Sequence, residues 1–123
     1  MNTEKPSNNP GITLEENLKK AMTEVLLLHL LSQKDCYIGE LTESIKKSSG
    51  GALHIVFPYG AIYRLQQAGY VSEKEKRNAP DGRRRQYFCI TQAGQVYLRT
   101  LLDIYDRFTK GISDTLKEGD IDK

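Results

Sequence analysis

Basic side chains are concentrated in the middle of the chain, where they could bind a polyanion. Residues 59–91 contain seven Lys and Arg against three Asp and Glu, a formal charge of +4, whereas the whole chain carries only +2. Six of these basic residues are close in sequence: Lys74, Lys76, Arg77, Arg83, Arg84 and Arg85. A run of charge is usually a solvated surface. Beside a candidate recognition helix, however, it favours contact with phosphates.

The residues just before this cluster have side chains suited to DNA recognition. They are Tyr59, Gly60, Tyr63, Arg64 and Gln67. Arginine can form two hydrogen bonds to guanine, glutamine can form two to adenine, and a tyrosine hydroxyl can donate to phosphate. Gly60 would let the start of a helix approach the phosphate backbone closely. The alternatives are a solvated helix face and, for Arg64, a salt bridge to the body of the protein.

Cys36, Cys89, His29 and His54 form no recognisable metal or catalytic motif. They lie far apart in sequence, and none has the close spacing of zinc ligands. No arrangement of Ser, His and acid and no phosphate-binding glycine loop stands out either. We therefore predict no enzyme activity, no cofactor and no metal site.

Length and composition indicate one soluble domain. The chain has 123 residues, of which 38% are hydrophobic and 28% charged, and no apolar run approaches 18 residues. A membrane span and a fully disordered chain are both excluded by these values. Because the first residues lack the pattern of a secretory signal, we expect a cytoplasmic protein.

Three helices are predicted in the first half of the chain. Residues 1–12 have almost no apolar side chains, so we expect a mobile arm there. Thr13 and Glu16 form a capping-box pattern, which predicts that the first helix begins at this point. Apolar spacing and stop signals predict a short second helix over 36–47 and a third over 59–68.

A β-hairpin is predicted after the third helix. Residues 70–76 and 85–91 have strand composition, and a Pro-Asp-Gly turn separates them. Alternation along the second strand would place Tyr87 and Cys89 on the face away from the core. A brief segment at 52–57 is also β-prone.

A long final helix is predicted over 92–116, followed by a polar tail at 117–123. Thr91 is its expected N-cap. Apolar residues recur along it every three or four positions, like the core positions of a coiled coil: Leu98, Leu101, Tyr105, Phe108 and Ile112. This stripe is either a lid on its own domain or a dimer interface. Because a helix that projects beyond a three-helix core has little of its own chain to cover it, we favour the dimer.

The order of these elements is that of a winged helix-turn-helix. The fold class expected is therefore mainly α with a small β-hairpin, with a winged-helix domain over 13–91 and a long C-terminal dimerisation helix. In this fold the third helix enters the DNA major groove and the hairpin, or wing, lies against neighbouring phosphates.

Several motifs resemble those of PadR-like transcriptional regulators. PYGAIYRLQQAGYV, the DGRRR turn and QYFCITQAG follow one another as in that family, and MTEVLLLHLLSQKDCYIGELTESI resembles its first two helices. The resemblance covers roughly residues 14–105. It implies a repressor that works as a homodimer through interlocked terminal helices and responds to small aromatic ligands. An effector pocket in the cavity of the dimer could be lined by Tyr97, Tyr105 and Phe108; alternatively, these residues simply fill the dimer core.

These observations support three functional hypotheses. In the first, the protein is a sequence-specific regulator whose partners are double-stranded DNA, a second copy of itself and a small aromatic effector. A symmetric dimer would bind a pseudo-palindromic operator with half-sites about 34 Å apart. In the second, the protein is a small-molecule sensor whose main functional site is the cavity of the dimer. In the third, the winged helix is a protein-interaction module that does not recognise DNA and whose basic hairpin docks an acidic partner.

Overall fold

The structure is a computed structural model that describes residues 10–55 and 58–118. Its elements, in chain order, are α1 (Pro10–Leu31), β1 (Cys36–Tyr37), α2 (Ile38–Ser48), α3 (Pro58–Gln67), β2 (Val71–Asn78), β3 (Arg84–Ile90) and α4 (Gln92–Glu118). The predicted class, a mainly α winged helix with a small hairpin and a long C-terminal helix, is confirmed.

Helix α1 lies at the centre of the fold. Its neighbouring residues Leu27 and Leu28 are both fully buried, so the helix is covered on more than one side. It contacts α2, α3, α4 and β3. The other side chains of the core come from all of these elements and include Leu41, Ile62, Leu65, Phe88 and Leu98. The wide apolar face of α1 is therefore what holds the third helix and the hairpin in one body.

The sheet has three antiparallel strands in the order β1-β3-β2, one more than the sequence predicted. Cys36 pairs with Phe88 and Tyr37 with Tyr87, so these two residues are a strand and α2 begins only at Ile38. The prediction that they start the second helix was wrong, because pairing with a distant strand outweighs local helical spacing. The described part of the β-prone segment, 52–55, forms no strand, and 56–57 lie outside the described residues.

Helices α1 and α4 extend beyond their predicted ends, and α3 lies one residue earlier than predicted. Helix α1 begins at Pro10, three residues before Thr13. Proline is favourable at the first helical position, because a backbone N–H there would have no hydrogen-bond partner and proline has none to leave unpaired. The remainder of the predicted arm, residues 1–9, lies outside the described residues. Helix α4 extends to Glu118, and the rest of the predicted tail, 119–123, also lies outside them.

The corner where α3, β2 and α4 meet fixes α3 relative to the hairpin. Gly69 adopts a positive φ of 84°, and the next N–H, that of Tyr70, donates to the Leu65 carbonyl at 2.9 Å. This closes the C-terminus of α3 and turns the chain into β2. Thr91 caps α4 as predicted: its Oγ1 accepts a hydrogen bond from the Gly94 N–H at 3.0 Å.

Candidate nucleic-acid interface

Helix α3 divides into a buried face and an exposed face. Pro58, Ala61, Ile62 and Leu65 are buried, which attaches the helix to α1 and the hairpin. All five predicted DNA-contacting residues of α3 lie on the opposite, exposed face: Tyr59, Gly60, Tyr63, Arg64 and Gln67. The two tyrosine side chains are 71% and 62% exposed. Two large aromatic residues are therefore left uncovered on a helix that otherwise packs well.

Arg64 is exposed and also ion-paired within the protein. Its Nε donates to Oε2 of Glu24 on α1 at 3.2 Å. Its Nη1 lies 3.6 Å from where a Cβ would stand at Gly60, one turn earlier in α3. The guanidinium therefore lies back along the helix over Gly60. The salt bridge considered as an alternative for this residue does form, while the side chain stays largely in solvent.

The six basic residues of the hairpin fall into two groups. Four are exposed at the tip or along the strands: Lys74, Lys76, Arg83 and Arg84. Arg77 and Arg85 are partly buried, and each is ion-paired. Together with two tyrosines they form a layer on the face of the sheet away from the core. We call this set the Arg–Tyr layer; its members are Tyr37, Arg77, Arg85 and Tyr87. The sequence predicts one basic cluster, but the structure separates free cations from paired ones.

A β-bulge places Arg77 in the Arg–Tyr layer. The register shifts by one residue between Glu73 and Lys76, so that Arg77 lies opposite Arg85. Strict alternation from Val71 would have put Arg77 on the core face. Its guanidinium instead lies 4.2 Å from the centroid of the Tyr87 ring.

Acidic partners offset the repulsion between Arg77 and Arg85. Arg77 Nη2 lies 3.0 Å from Glu75 and 3.4 Å from Asp35 carboxylate oxygens. The pKa of Glu75 is lowered, first by a hydrogen bond from its own backbone and then by the charge of Arg77. Each arginine is therefore part of the fold and is not an unpaired charge awaiting an anion.

Asp81 holds the tip of the hairpin. It accepts hydrogen bonds from Arg85 Nη2 at 2.7 Å and from the Arg83 backbone N–H at 3.0 Å, and both lower the pKa of its carboxyl. The same hydrogen bond from Arg85 is the main cause of a raised Arg85 pKa, to which the Tyr59 phenol also contributes. Tyr59 is thus within electrostatic range of Arg85.

Tyr87 is on the predicted face but is buried. Its ring meets that of Tyr37 edge to face, with centroids 5.5 Å apart, and Arg77 covers it from the other side. The side-chain alternation was predicted correctly, whereas the cover over Tyr87 comes from a strand and a bulge that the sequence did not reveal. Cys89, on the same face, lies 3.2 Å from the Ser72 hydroxyl.

The apolar stripe of α4 divides into a packed part and an exposed part. Leu98 is only 6% exposed and belongs to the core of its own domain, and Leu101 packs against that core. Tyr105, Phe108 and Ile112 are exposed, with Phe108 at 69%. Ile104 and Leu116, which the prediction omitted, are exposed as well. The lid and the unpartnered surface are therefore successive stretches of one helix.

Tyr97 is separated from the other aromatic residues considered for an effector pocket. Its ring stacks on that of Tyr70, with centroids 4.1 Å apart, and burial raises its pKa. A rise of 1.5 Å per residue puts Phe108 about 16 Å further along the axis of α4. Tyr97, Tyr105 and Phe108 therefore do not line a common pocket within one chain.

The cysteine and histidine residues are not brought together. Within 10–55 and 58–118 there is no group of three or more His, Cys, Asp and Glu side chains placed to hold a metal ion. Burial raises the pKa of the Cys36 thiol to about 11, which keeps it protonated at neutral pH. None of the helices in the described ranges has the length and apolar character needed to cross a membrane.

Sequence reasoning missed Glu24 and Asp35, the acidic partners of Arg64 and Arg77. Each lies about 40 residues away from its arginine along the chain. No local pattern marks them, because a surface acid on a helix or turn has the same sequence signature whether or not a partner folds onto it. Only the folded structure, which brings each acid against its arginine, shows these two pairs.

Comparison with known proteins agrees with this architecture. The family model for the transcriptional regulator PadR-like family matches residues 27–100, more than half of the chain. A PadR family transcriptional regulator from Eggerthella lenta superposes with a TM-score of 0.74 at 20% identity, over 89% of this chain and 95% of the other. No match was found among curated proteins.

Two further solved structures are similar over most of their length. A transcriptional regulator from Clostridium thermocellum gives a TM-score of 0.72 at 23% identity and covers 80% of this chain and 93% of its own. A Streptococcus mutans protein gives 0.69 at 25% identity, with 79% and 88% covered. At these identities the likeness shows a shared fold, and the family assignment rests on the match to the family model.

Proposed function

The chain belongs to the PadR-like family of transcriptional regulators, and on this basis we propose that it binds a specific double-stranded DNA site as a homodimer and represses transcription. The observation that carries this proposal is the exposed face of α3. That face combines aromatic, arginine and glutamine side chains with a glycine in the first turn. Carboxylate-bearing partners would favour lysine and arginine alone, whereas this mixture suits base edges and phosphates together.

In the proposed complex, α3 enters the major groove. Arg64 and Gln67 contact base edges, and the hydroxyls of Tyr59 and Tyr63 donate to phosphates or bases. Gly60 leaves room for the backbone of the first turn to approach a phosphate. The burial of Ile62 and Leu65 supports this arrangement, because it fixes the rotation of α3 about its axis and thus the side presented to DNA.

The wing supplies the contacts that do not depend on sequence. We assign phosphate neutralisation to the four exposed basic residues Lys74, Lys76, Arg83 and Arg84. Arg77 and Arg85 support the hairpin through the Arg–Tyr layer. Each phosphate neutralised adds about 0.9 to the slope of log affinity against log salt, so four contacts in each protomer of a dimer would give strongly salt-dependent binding.

The exposed part of α4 is the proposed dimer interface. The apolar spacing of α4 continues beyond the core with four exposed residues: Tyr105, Phe108, Ile112 and Leu116. Leu14 and Leu18, in the N-terminal half of α1, are exposed as well. An apolar stripe on a helix that its own domain does not cover is typical of a coiled-coil partner surface. Two copies related by a two-fold axis would present two α3 helices to one duplex.

The first experiment is selection of bound duplexes from a random DNA pool by the purified full chain, with its mass in solution measured by light scattering. We expect enrichment of an inverted repeat with half-sites about one helical turn, or 34 Å, apart, together with a mass of two chains. Recovery of no sequence above background would overturn DNA recognition and favour the protein-interaction alternative. A monomeric mass at the binding concentration would overturn the dimer.

A further inference from the structure

Glu24 holds the one arginine on the exposed face of α3. The bond joins Nε of Arg64 to Oε2 of Glu24 at 3.2 Å and connects α1 to α3. Nε lies on the inner side of the guanidinium group, whereas the two terminal nitrogens lie at its far end. Because the terminal nitrogens can together donate to O6 and N7 of guanine, the bond to Glu24 leaves an edge of the group free for recognition of that base.

The carboxylate belongs to the more buried side chain of this pair. The Glu24 side chain is 28% exposed, and it precedes Val25 and Leu27 in the part of α1 that forms the core. The Arg64 side chain is 64% exposed. Glu24 also lies close enough to Tyr97 of α4 for its charge to add to the rise in the pKa of that phenol, which burial mainly causes. The position of Glu24 is thus set by the core, and the arginine follows it.

Arg64 is further restricted by its own helix. Its Nη1 lies over Gly60, where a Cβ would stand 3.6 Å away. A long arginine side chain normally loses much rotamer freedom when it binds a base. With Nε bound to a partly buried acid and Nη1 lying against the first turn of α3, part of that ordering is complete before DNA arrives.

We propose that Glu24 is a positioning residue that orients Arg64 toward a guanine and so contributes to base specificity; the inference rests on the proposed function. The carboxylate acts in two directions. It raises affinity for the site whose guanine accepts the ordered guanidinium, and its negative charge lowers affinity for any other DNA by repelling phosphates. Glu24 therefore increases the ratio of the affinity for the specific site to the affinity for unrelated DNA.

The test compares Glu24→Ala, Glu24→Gln and Arg64→Ala in the full chain. Binding is measured to the selected site, to variants of the site with each base pair changed in turn, and to unrelated DNA. Arg64→Ala identifies the base pair that the arginine contacts. At that pair alone, Glu24→Ala should reduce discrimination about tenfold, while affinity for unrelated DNA stays equal or rises. Glu24→Gln, which keeps an acceptor oxygen, should lie between Glu24→Ala and the unchanged protein.

Glu16 provides a matched control on the same helix. It lies two turns before Glu24 and, together with Gly60 and Arg64, lines a groove between α1 and α3. Glu16→Ala removes an equal charge and should leave discrimination unchanged at every base pair. In the Arg64→Ala background, Glu24→Ala should have no further effect on discrimination, because the group that it positions is gone. The ¹⁵Nε resonance of Arg64 is measured without DNA. It should be observable when residue 24 can accept a hydrogen bond from Nε, as in the unchanged protein and Glu24→Gln, and should be lost in Glu24→Ala.

The possible failures are distinct. A gain in affinity of Glu24→Ala for the selected site would overturn the proposal, because it would mean that Glu24 competes with DNA for the arginine. Loss of discrimination in Arg64→Ala but not in Glu24→Ala would overturn it while leaving the proposed function in place. If no DNA is selected, or Arg64→Ala changes no base preference, the recognition role of Arg64 fails and the positioning role fails with it.

Discussion

The first turns of α3 and α4 each have a glycine at the third helical position, and the two glycines meet different neighbours. A Cβ at Gly94 would lie 2.2 Å from the carbonyl oxygen of Tyr70 and 2.7 Å from Cγ1 of Ile90. At Gly60 the nearest atom is the end of the flexible Arg64 side chain, at 3.6 Å. The absence of a side chain lets the chain pack against itself in α4, while in α3 it leaves a surface open to another molecule.

The same contrast separates other parts of the molecule. Arg77 is ion-paired and the start of α4 is packed inside the fold, whereas Arg83, Arg84 and the end of α4 are exposed. Residues of one type therefore divide between stability and recognition according to what faces them. Substitutions can test this division, since the two sets should respond in different measurements.

The largest effect is expected for Gly94→Ala. The new methyl group would overlap a backbone carbonyl that cannot move without opening the corner between α3 and β2, so we expect a loss of about 3 kcal/mol in the free energy of unfolding. Urea denaturation at one fixed protein concentration measures it. Gly111→Ala on the same helix is the control, because nothing lies within 4 Å of its Cβ position. Equal stabilities of the two variants would contradict the packing role of Gly94.

Phe108→Asp tests whether the exposed end of α4 meets a second copy. Phe108 is 69% exposed, so its replacement should leave the fold of each protomer unchanged and raise the dimer dissociation constant at least about tenfold, as loss of an aromatic interface residue commonly does. Light scattering and analytical dilution measure the effect. Ser113→Asp adds the same charge off the apolar stripe and should leave the mass unchanged. A dimer that survives Phe108→Asp would exclude this surface as the interface.

The two groups of hairpin arginines should separate in the next comparison. Replacing Arg83 and Arg84 together by alanine should weaken binding to all DNA sequences and lower the salt slope by about 2 per protomer, with stability changed by no more than about 0.5 kcal/mol. An unchanged slope would remove the wing tip from the mechanism.

Arg77→Ala should behave in the opposite way. It loses the contact with the Tyr87 ring and uncovers that ring, so we expect a loss of about 1–2 kcal/mol in unfolding free energy. The salt slope of DNA binding should stay close to that of the unchanged protein. A lower salt slope together with an unchanged free energy of unfolding would mean that Arg77 contacts phosphate and that the Arg–Tyr layer does not stabilise the fold.

Gly60→Ala should change stability only slightly and with the opposite sign from Gly94→Ala. A methyl group fits beside Arg64 at 3.6 Å, and alanine replaces glycine inside a helix with a gain of about 0.5–1 kcal/mol. DNA affinity should fall nevertheless, if the backbone of this turn lies against a phosphate. Unchanged affinity in a more stable protein would show that the first turn of α3 stays away from DNA.

Local patterns were sufficient for much of the candidate interface. The spacing of Ile62 and Leu65 gives the rotation of α3, and so it places Arg64 and Gln67 on the opposite face. The turn residues at 80–82 locate the hairpin, although β2 continues to Asn78, two residues beyond its predicted end. These features could be predicted because helical period and turn chemistry act over a few residues.

The sequence by itself determined the order of the helices and the hairpin, the exposed face of α3 and the basic character of the hairpin, since each depends on neighbours a few residues apart. Only the tertiary structure decided that Arg77 and Arg85 are held while Arg83 and Arg84 are free, and that Glu24 meets Arg64. The physical reason is that a two-residue strand, a one-residue bulge and an ion pair across 40 residues have no local period. They form only when the packing of α1 brings distant parts of the chain together.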